Sequence, residues 1–482
     1  MTLIYLMPLL SVAAWLLIRK GSLLSAGTVG LAVSIPCAAM ALPEQYRLVA
    51  FLGTEVSRGV WTAWQAVSVI LAGLFFYSVV QSTPAPEGTG GADVAPTATH
   101  RRLFAICFLL GPFFETVVGF GMGAVITLPL LIRQGLPPVS AVVFSLFSQM
   151  LVPWGALGVG TIVGAQLAGI ELHQMGEGSA LYSAPVLLGY LVVFWLFIRR
   201  EGISIKLSDC IDDLLWTLSL VTLLYLSNKH IAVETALLTA SGILLIVRHW
   251  RDQKPSAASW LSAGRQAAPY VLLALVLLLT RTIPWLSDFL RSHAIIRPAP
   301  GYPEFPVLYH VSFWILVVAC LYASFAWSGM ADRTLIISRT WARAKMPVAV
   351  TVVFVVLAQL MAASGMAAAL AQQWMALLGN ASIVGSPVFG AVAGFLTSSN
   401  VGSNAMVMPI QKSIAEFGGY SASAIAALQN TAGSNFTMLS AARVAMGCAL
   451  AGTAGRELAV YGKAYPLGVA SLSVLVLTTL AI

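Results

Sequence analysis

Charge is what this sequence has least of: only 9% of its 482 residues are Asp, Glu, Lys or Arg, against 59% hydrophobic. A soluble globular surface cannot be covered from so few charges, so the soluble classes are excluded and an integral membrane protein is left. Cysteine is also scarce. The five present (Cys37, Cys107, Cys210, Cys320, Cys448) are odd in number and lie mostly within apolar stretches, which argues against a disulfide framework or a metal cluster. The six histidines show no metal-ligand spacing, and only His310 enters an apolar run. No GxxxxGK loop and no GxSxG elbow occurs, and no loop has room for an ATPase domain. These absences remove ATP-driven transport and leave no metal or cofactor to expect. No nucleophile, base and orienting group recur together, so an enzyme is the poorest reading. Nor does a basic region or a small-residue cleavage site flank the first apolar run, which therefore reads as a retained helix.

What is present is apolar length. A bilayer core of about 30 Å takes roughly 20 residues of helix, so the chain reads as an all-α polytopic membrane protein, not a barrel or a peripheral protein. Apolar runs at 3–18, 24–42, 59–81, 138–170, 180–198, 214–228, 231–247, 266–285, 306–328, 347–365, 420–453 and 465–482 predict about 12 transmembrane helices. The net charge of +8 is topological, not a sign of nucleic-acid binding, because Lys and Arg cluster at the ends of these runs. With the N-terminus outside, the Arg19, Arg101, Arg133, Arg199, Arg248, Arg339 and Arg456 regions share the inner side, and Glu44, Glu171 and Asp288 the outer.

Two further apolar segments, 103–133 and 381–412, are interrupted by FFETVVGFGMGA from Phe113 and FLTSSNVGSNA from Phe395. Helix-breaking glycines beside polar side chains survive at membrane depth only where protein or a water-lined cavity satisfies the freed backbone. Each segment is expected to be a re-entrant hairpin; Arg102 and Arg133 share a side only if the chain between them enters and returns. The pairs Pro129/Gln149 and Pro409/Gln429 repeat at one offset, which with opposed hairpins predicts an inverted-repeat transporter with halves of about 59–200 and 306–482 in one domain, 1–482. Residues 82–100, rich in Pro, Gly, Ala and Thr, read as a flexible linker.

Half-helix N-termini present unpaired N–H groups and partial positive charge, so two such tips suit a small anion. Ser398, Ser399, Asn400, Ser403 and Asn404 supply donors at the second tip, and Gly119, Gly121 and Gly123 allow close backbone approach at the first. Small residues also serve tight helix packing, and they permit a homodimer. Glu115 is the candidate for proton coupling, because a charged carboxylate at that depth is costly and a proton is its easiest companion. Gln149 opens a third break, QMLVPWGALG, and Gln429, Asn430, Thr431, Ser434 and Asn435 belong to a fourth, where Gly433 is expected to unwind the helix. Arg443 has three options: a substrate carboxylate, Glu115, or the cytoplasmic surface. Arg281 is expected to be an interfacial anchor.

The stretch from Phe113 to Gly160, with FLTSSNVGSNA and QNTAGSNFTMLS, resembles the lactate permease family, bacterial symporters of L-lactate and glycolate with protons. The resemblance extends over most of the chain, more weakly before residue 100 and between 200 and 340. It implies an inner-membrane carrier of a small 2-hydroxy monocarboxylate coupled to H+, with Glu115 at the family's acidic position and Ser399, Ser403, Asn404, Asn430 and Thr431 at its polar ones. Two departures stand out: Asn400 where the family often has an acid, and Asn435–Thr437 where it often has a lysine. A proton- or sodium-coupled carrier of another small organic or sulfonate anion is the alternative.

Overall fold

The computed structural model describes residues 2–19, 21–42, 47–82, 99–119, 121–253, 256–325 and 333–481. The linker expected at 82–100 lies, but for its ends, outside the described residues. Helices α1 (Thr2–Tyr5), α2 (Met7–Leu17) and α3 (Leu23–Ala41) lead to the long α4 (Leu48–Gln81). Helix α5 (His100–Phe104) passes through a π-helical turn, Ala105–Leu110, into α6 (Gly111–Val118), followed by α7 (Met122–Arg133), α8 (Pro138–Ser145) and α9 (Val159–Ala168). Then come α10 (Leu172–Arg200), α11 (Leu207–His230), α12 (Val233–Gln253), α13 (Ala257–Thr282) and α14 (Pro284–Ser292). A short antiparallel pair, β1 (Ile295–Ile296) and β2 (Phe305–Pro306), sets Ile295 against Pro306 and Ile296 against Phe305. The rest is α15 (Val311–Phe325), α16 (Arg333–Ala363), α17 (Met366–Leu378), α18 (Ser386–Thr397), α19 (Asn400–Gly418), α20 (Ala422–Thr437), α21 (Ala441–Leu450) and α22 (Glu457–Thr478).

The protein is thus all-α, and six of the described helices are long and apolar enough to cross a membrane, or up to eight if two pairs bent by 87° and 117° each count as one span. Several expected runs are split into pieces too short to cross alone, among them 138–170, which divides into α8 and α9.

Because lipid is as apolar as Leu, helices in a membrane associate through close packing. At the α18–α20 crossing, a Cβ on Gly394 would lie 1.9 Å from the Gly433 carbonyl oxygen, and one on Gly433 would lie 2.0 Å from Ser403 Oγ. This corrects one expectation: Gly433 does not unwind its helix but sits inside the regular α20, and the break falls at Met438–Ser440. The glycine is needed for contact between backbones. Aromatic rings fill the space between α5, α8 and α10, with Phe104 stacked on Phe108 at 4.8 Å and Phe194 edge-on to Phe108 at 5.3 Å.

Candidate functional site

Both interrupted segments fold back on themselves. Helix α6 begins with Pro112 in its first turn and ends at Gly119, whose φ of +68° is closed to other L-residues without strain; Gly121, at φ +86°, then caps α7. The Gly123 amide comes to 3.0 Å from Glu115 Oε2, so α7 returns alongside α6. In the second segment, Ser398 takes the left-handed conformation and Ser399 caps α19, accepting the Gly402 amide at 3.3 Å. The Gln411 side chain donates to the Ser386 carbonyl at 3.0 Å, which fixes α18 and α19 as antiparallel neighbours.

The third break meets them. After α8 the chain passes through two short 3-10 turns, Leu146–Gln149 and Val152–Trp154, and left-handed residues at Ala156, Leu157 and Gly158. This irregular backbone has a use. The amides of Ala156 and Leu157 donate to the carbonyls of Glu115 (3.0 Å) and Thr116 (2.8 Å) in the last turn of α6, the first of which also accepts the Gly119 amide at 2.8 Å.

Arg443, near the start of α21, joins all three breaks. Its Nη1 donates to Gln149 Oε1 at 2.5 Å and to Glu115 Oε1 at 3.3 Å, while Nε and Nη2 donate to the Ser398 carbonyl at 3.3 and 3.2 Å. Of the three options open to Arg443, the structure takes the pairing with Glu115; both side chains are buried, at 8% and 2% exposure. Glu115 in turn accepts the Gly121 amide on Oε1 and the Gly123 amide on Oε2, each at 3.0 Å. The first tip was expected to offer its amides to a foreign anion, but here its own carboxylate holds them.

Beside this cluster lies a cavity of about 210 Å³ lined by Glu115, Gly119, Val152, Gly155, Ala156, Val159, Gly160, Ser398, Ser399, Asn400, Val401, Ala442, Arg443 and Met446. A cavity of about 150 Å³ already admits a ring of six carbons, so a small organic acid fits. Ser399 takes the Gly402 and Ser403 amides on its side chain and carbonyl, which leaves the first amides of α19, at Asn400 and Val401 on the cavity wall, with no acceptor within the helix.

The remaining predicted residues stand behind the wall. Asn430 Oδ1 accepts from the side-chain amides of Asn400 (2.9 Å) and Asn404 (2.8 Å), and its Nδ2 donates to Thr161 Oγ1 (3.0 Å) and Ser179 Oγ (2.9 Å). The Thr161 hydroxyl donates to the Pro153 carbonyl, so its oxygen is left to accept, and the direction of every amide in this chain of contacts follows. Gln429 donates to Ser403 Oγ at 3.3 Å. Thr431 and Ser434 donate to carbonyls of their own helix, and Asn435 accepts the Tyr190 hydroxyl at 2.9 Å; none of these three lines the cavity. Arg281 is also away from it, lying over the Tyr309 ring at 3.9 Å. Sequence reasoning missed the apolar wall, Val152, Gly155, Ala156, Val159, Ala442 and Met446. The break from Gln149 signalled an irregular backbone there, though not that its small residues would face a cavity.

A family model described as L-lactate permease matches residues 1–299 and 297–480. The chain belongs to that family. Its relatives include an L-lactate permease of Salmonella typhimurium, 23% identical over 91% of this chain and 87% of the relative. A glycolate permease of Escherichia coli is 24% identical over 92% and 89%, and an L-lactate permease of Bacillus subtilis 22% identical over 91% and 87%. Family membership and the apolar helices together describe a multi-pass membrane transport protein.

Proposed function

We propose that this protein is a secondary transporter of the bacterial inner membrane, carrying a small 2-hydroxy monocarboxylate such as L-lactate or glycolate in symport with protons. The observation that carries the reading is the buried guanidinium of Arg443, set between two re-entrant tips on the wall of a cavity of suitable size. The substrate carboxylate sits against Arg443 and the free amides at the start of α19, and Glu115 carries the proton. The names of the lactate and glycolate permeases support the choice of acid.

In this reading twelve spans and two hairpins form an inverted repeat, 59–200 and 306–482. The offset of the Pro129/Pro409 pair brings α4 onto α16, α7 onto α19 and α10 onto α22, which supports the repeat. Access alternates as one half moves against the other. A sodium-coupled carrier is the second reading, favoured by the side-chain oxygens of Asn400 and Asn404, which lack hydrogen-bond partners.

The test is uptake of radiolabelled L-lactate into proteoliposomes under an inward proton gradient, with glycolate as competitor. Protonophore-sensitive, sodium-independent uptake is expected. Uptake that follows sodium and ignores the protonophore would overturn proton coupling, and no uptake of either acid would overturn the substrate.

A further inference from the structure

We infer that Glu115 is a tethered carboxylate that occupies the anion position of this cavity, so that one proton and one substrate monoanion together displace it from Arg443. The inference rests on the transport reading and gives its coupling a stoichiometry. Both Glu115 oxygens are engaged: Oε1 by the Gly121 amide and the Arg443 guanidinium, Oε2 by the Gly123 amide. A helix N-terminus and a guanidinium are the groups that would receive a foreign carboxylate. The protein has filled that position itself.

Charge counting then fixes what can replace it. Among the described residues that line the cavity, Glu115 and Arg443 are the charged ones. The other charged side chains on the elements packed around Glu115, among the described residues, are engaged elsewhere or lie at an exposed end. Glu55 of α4 is held by Arg58 and Gln359, Glu234 of α12 faces Arg281, Arg248 of α12 pairs with Asp212 and Asp252, and Arg133 is exposed at the far end of α7. An anion entering while Glu115 is ionised sets two negative charges against one guanidinium in a water-poor site, where like charges repel strongly.

Once a proton binds a Glu115 oxygen, the side chain is neutral and gains an O–H donor, and its hold on the guanidinium and the two amides loosens. The substrate carboxylate takes Arg443 in its place. The cavity carries no net charge before the exchange (Arg443 cation, Glu115 anion) and none after it (Arg443 cation, neutral Glu115, substrate monoanion). One proton therefore accompanies one monoanion, and loading is electroneutral. A dianion would leave one negative charge uncompensated, which selects monocarboxylates.

The experiment uses the purified full chain. In weakly buffered detergent solution with a pH-indicator dye, binding of L-lactate to the wild type is expected to take up one proton per molecule bound; no proton uptake on binding overturns the inference. In Glu115→Gln, L-lactate is the one anion available to Arg443. Its affinity at neutral pH is expected to rise about tenfold or more and to lose its pH dependence. In proteoliposomes this variant exchanges lactate across the membrane but no longer accumulates it. Wild-type pH dependence in Glu115→Gln, or proton-driven accumulation by it, overturns the inference. Should the variant fail to fold, the wild-type proton count decides alone. If the wild type binds neither lactate nor glycolate, the transport reading itself falls and takes this inference with it; a wild type that binds without protons leaves the substrate standing and sinks the exchange.

Discussion

Removing Arg443 and Glu115 singly and together gives the sharpest energetic test of the site. At 3.3 Å, an effective dielectric constant of about 20 gives an attraction of about 5 kcal/mol, much of it offset by the cost of taking both ions out of water. Deleting one partner forfeits the attraction and leaves the other charge buried, so each single loss is expected to cost about 3–5 kcal/mol. Arg443→Met should be the worse, because Gln149 Oε1 and the Ser398 carbonyl lose their donor as well. Glu115→Gln leaves a guanidinium with neutral partners. The double variant buries no charge and should lie well short of the sum, with a coupling of at least about 2 kcal/mol. Unfolding in mixed micelles under a rising fraction of denaturing detergent measures all four proteins. Additivity within about 0.5 kcal/mol would refute the reasoning, because it would mean the two groups do not share one electrostatic site.

Gly394→Ala puts a Cβ 1.9 Å from a backbone oxygen of α20 that no side-chain rotation can clear, so a loss of about 3 kcal/mol or more is expected in the same unfolding assay. Gly73→Ala, whose Cβ meets nothing within 4 Å, is the control and should change stability by less than about 1 kcal/mol. Asn430→Leu strips partners from Asn400, Asn404, Thr161 and Ser179 at once; a cost of about 2–4 kcal/mol and loss of lactate binding in a direct binding assay are expected. Tyr190→Phe removes one hydrogen bond, to Asn435 outside the cavity, and should cost about 1 kcal/mol while the Km for uptake stays unchanged.

The hairpins were legible because their signals are local. Glycine at 119 and 121 and the run Ser398–Asn400 break a helix through backbone conformation and capping, whatever surrounds them. The irregular stretch after Gln149 was legible for the same reason. Gly433 was not: in a membrane helix, glycine marks either a break or a close crossing, and the choice depends on Gly394, a residue of another helix. The partner of Arg443 was legible only as one of three options, since a long side chain can reach any of them. Nothing in the spacing of Glu115, Gly121 and Gly123 says that the carboxylate turns onto the amides of its own hairpin, because that depends on how sharply α7 folds back. The apolar half of the cavity wall was invisible for a simpler reason: Val, Ala and Met facing a cavity look the same in sequence as Val, Ala and Met facing lipid.

The way each interruption is satisfied bears on how a proton could act at this site. The carbonyls in the last turn of α6 accept from Ala156 and Leu157 of the third break, the amides of Gly121 and Gly123 are held by Glu115, the Ser398 carbonyl by Arg443, and Asn400 by Asn430. In a medium without water each of these groups would cost several kcal/mol if left alone, so the breaks hold one another in place. The contacts of Ala156, Leu157 and Asn400 are between neutral groups and do not respond to charge. Those of Glu115 do, because one proton weakens its bonds to two amides and a guanidinium together, and that guanidinium also holds the second tip at Ser398. A change at one oxygen atom is thereby felt at all three breaks without any long relay. Protonation alone would leave Arg443 buried and short of an acceptor, an expensive state. In the proposed exchange the substrate carboxylate removes that expense, which gives the two ligands a physical reason to bind together.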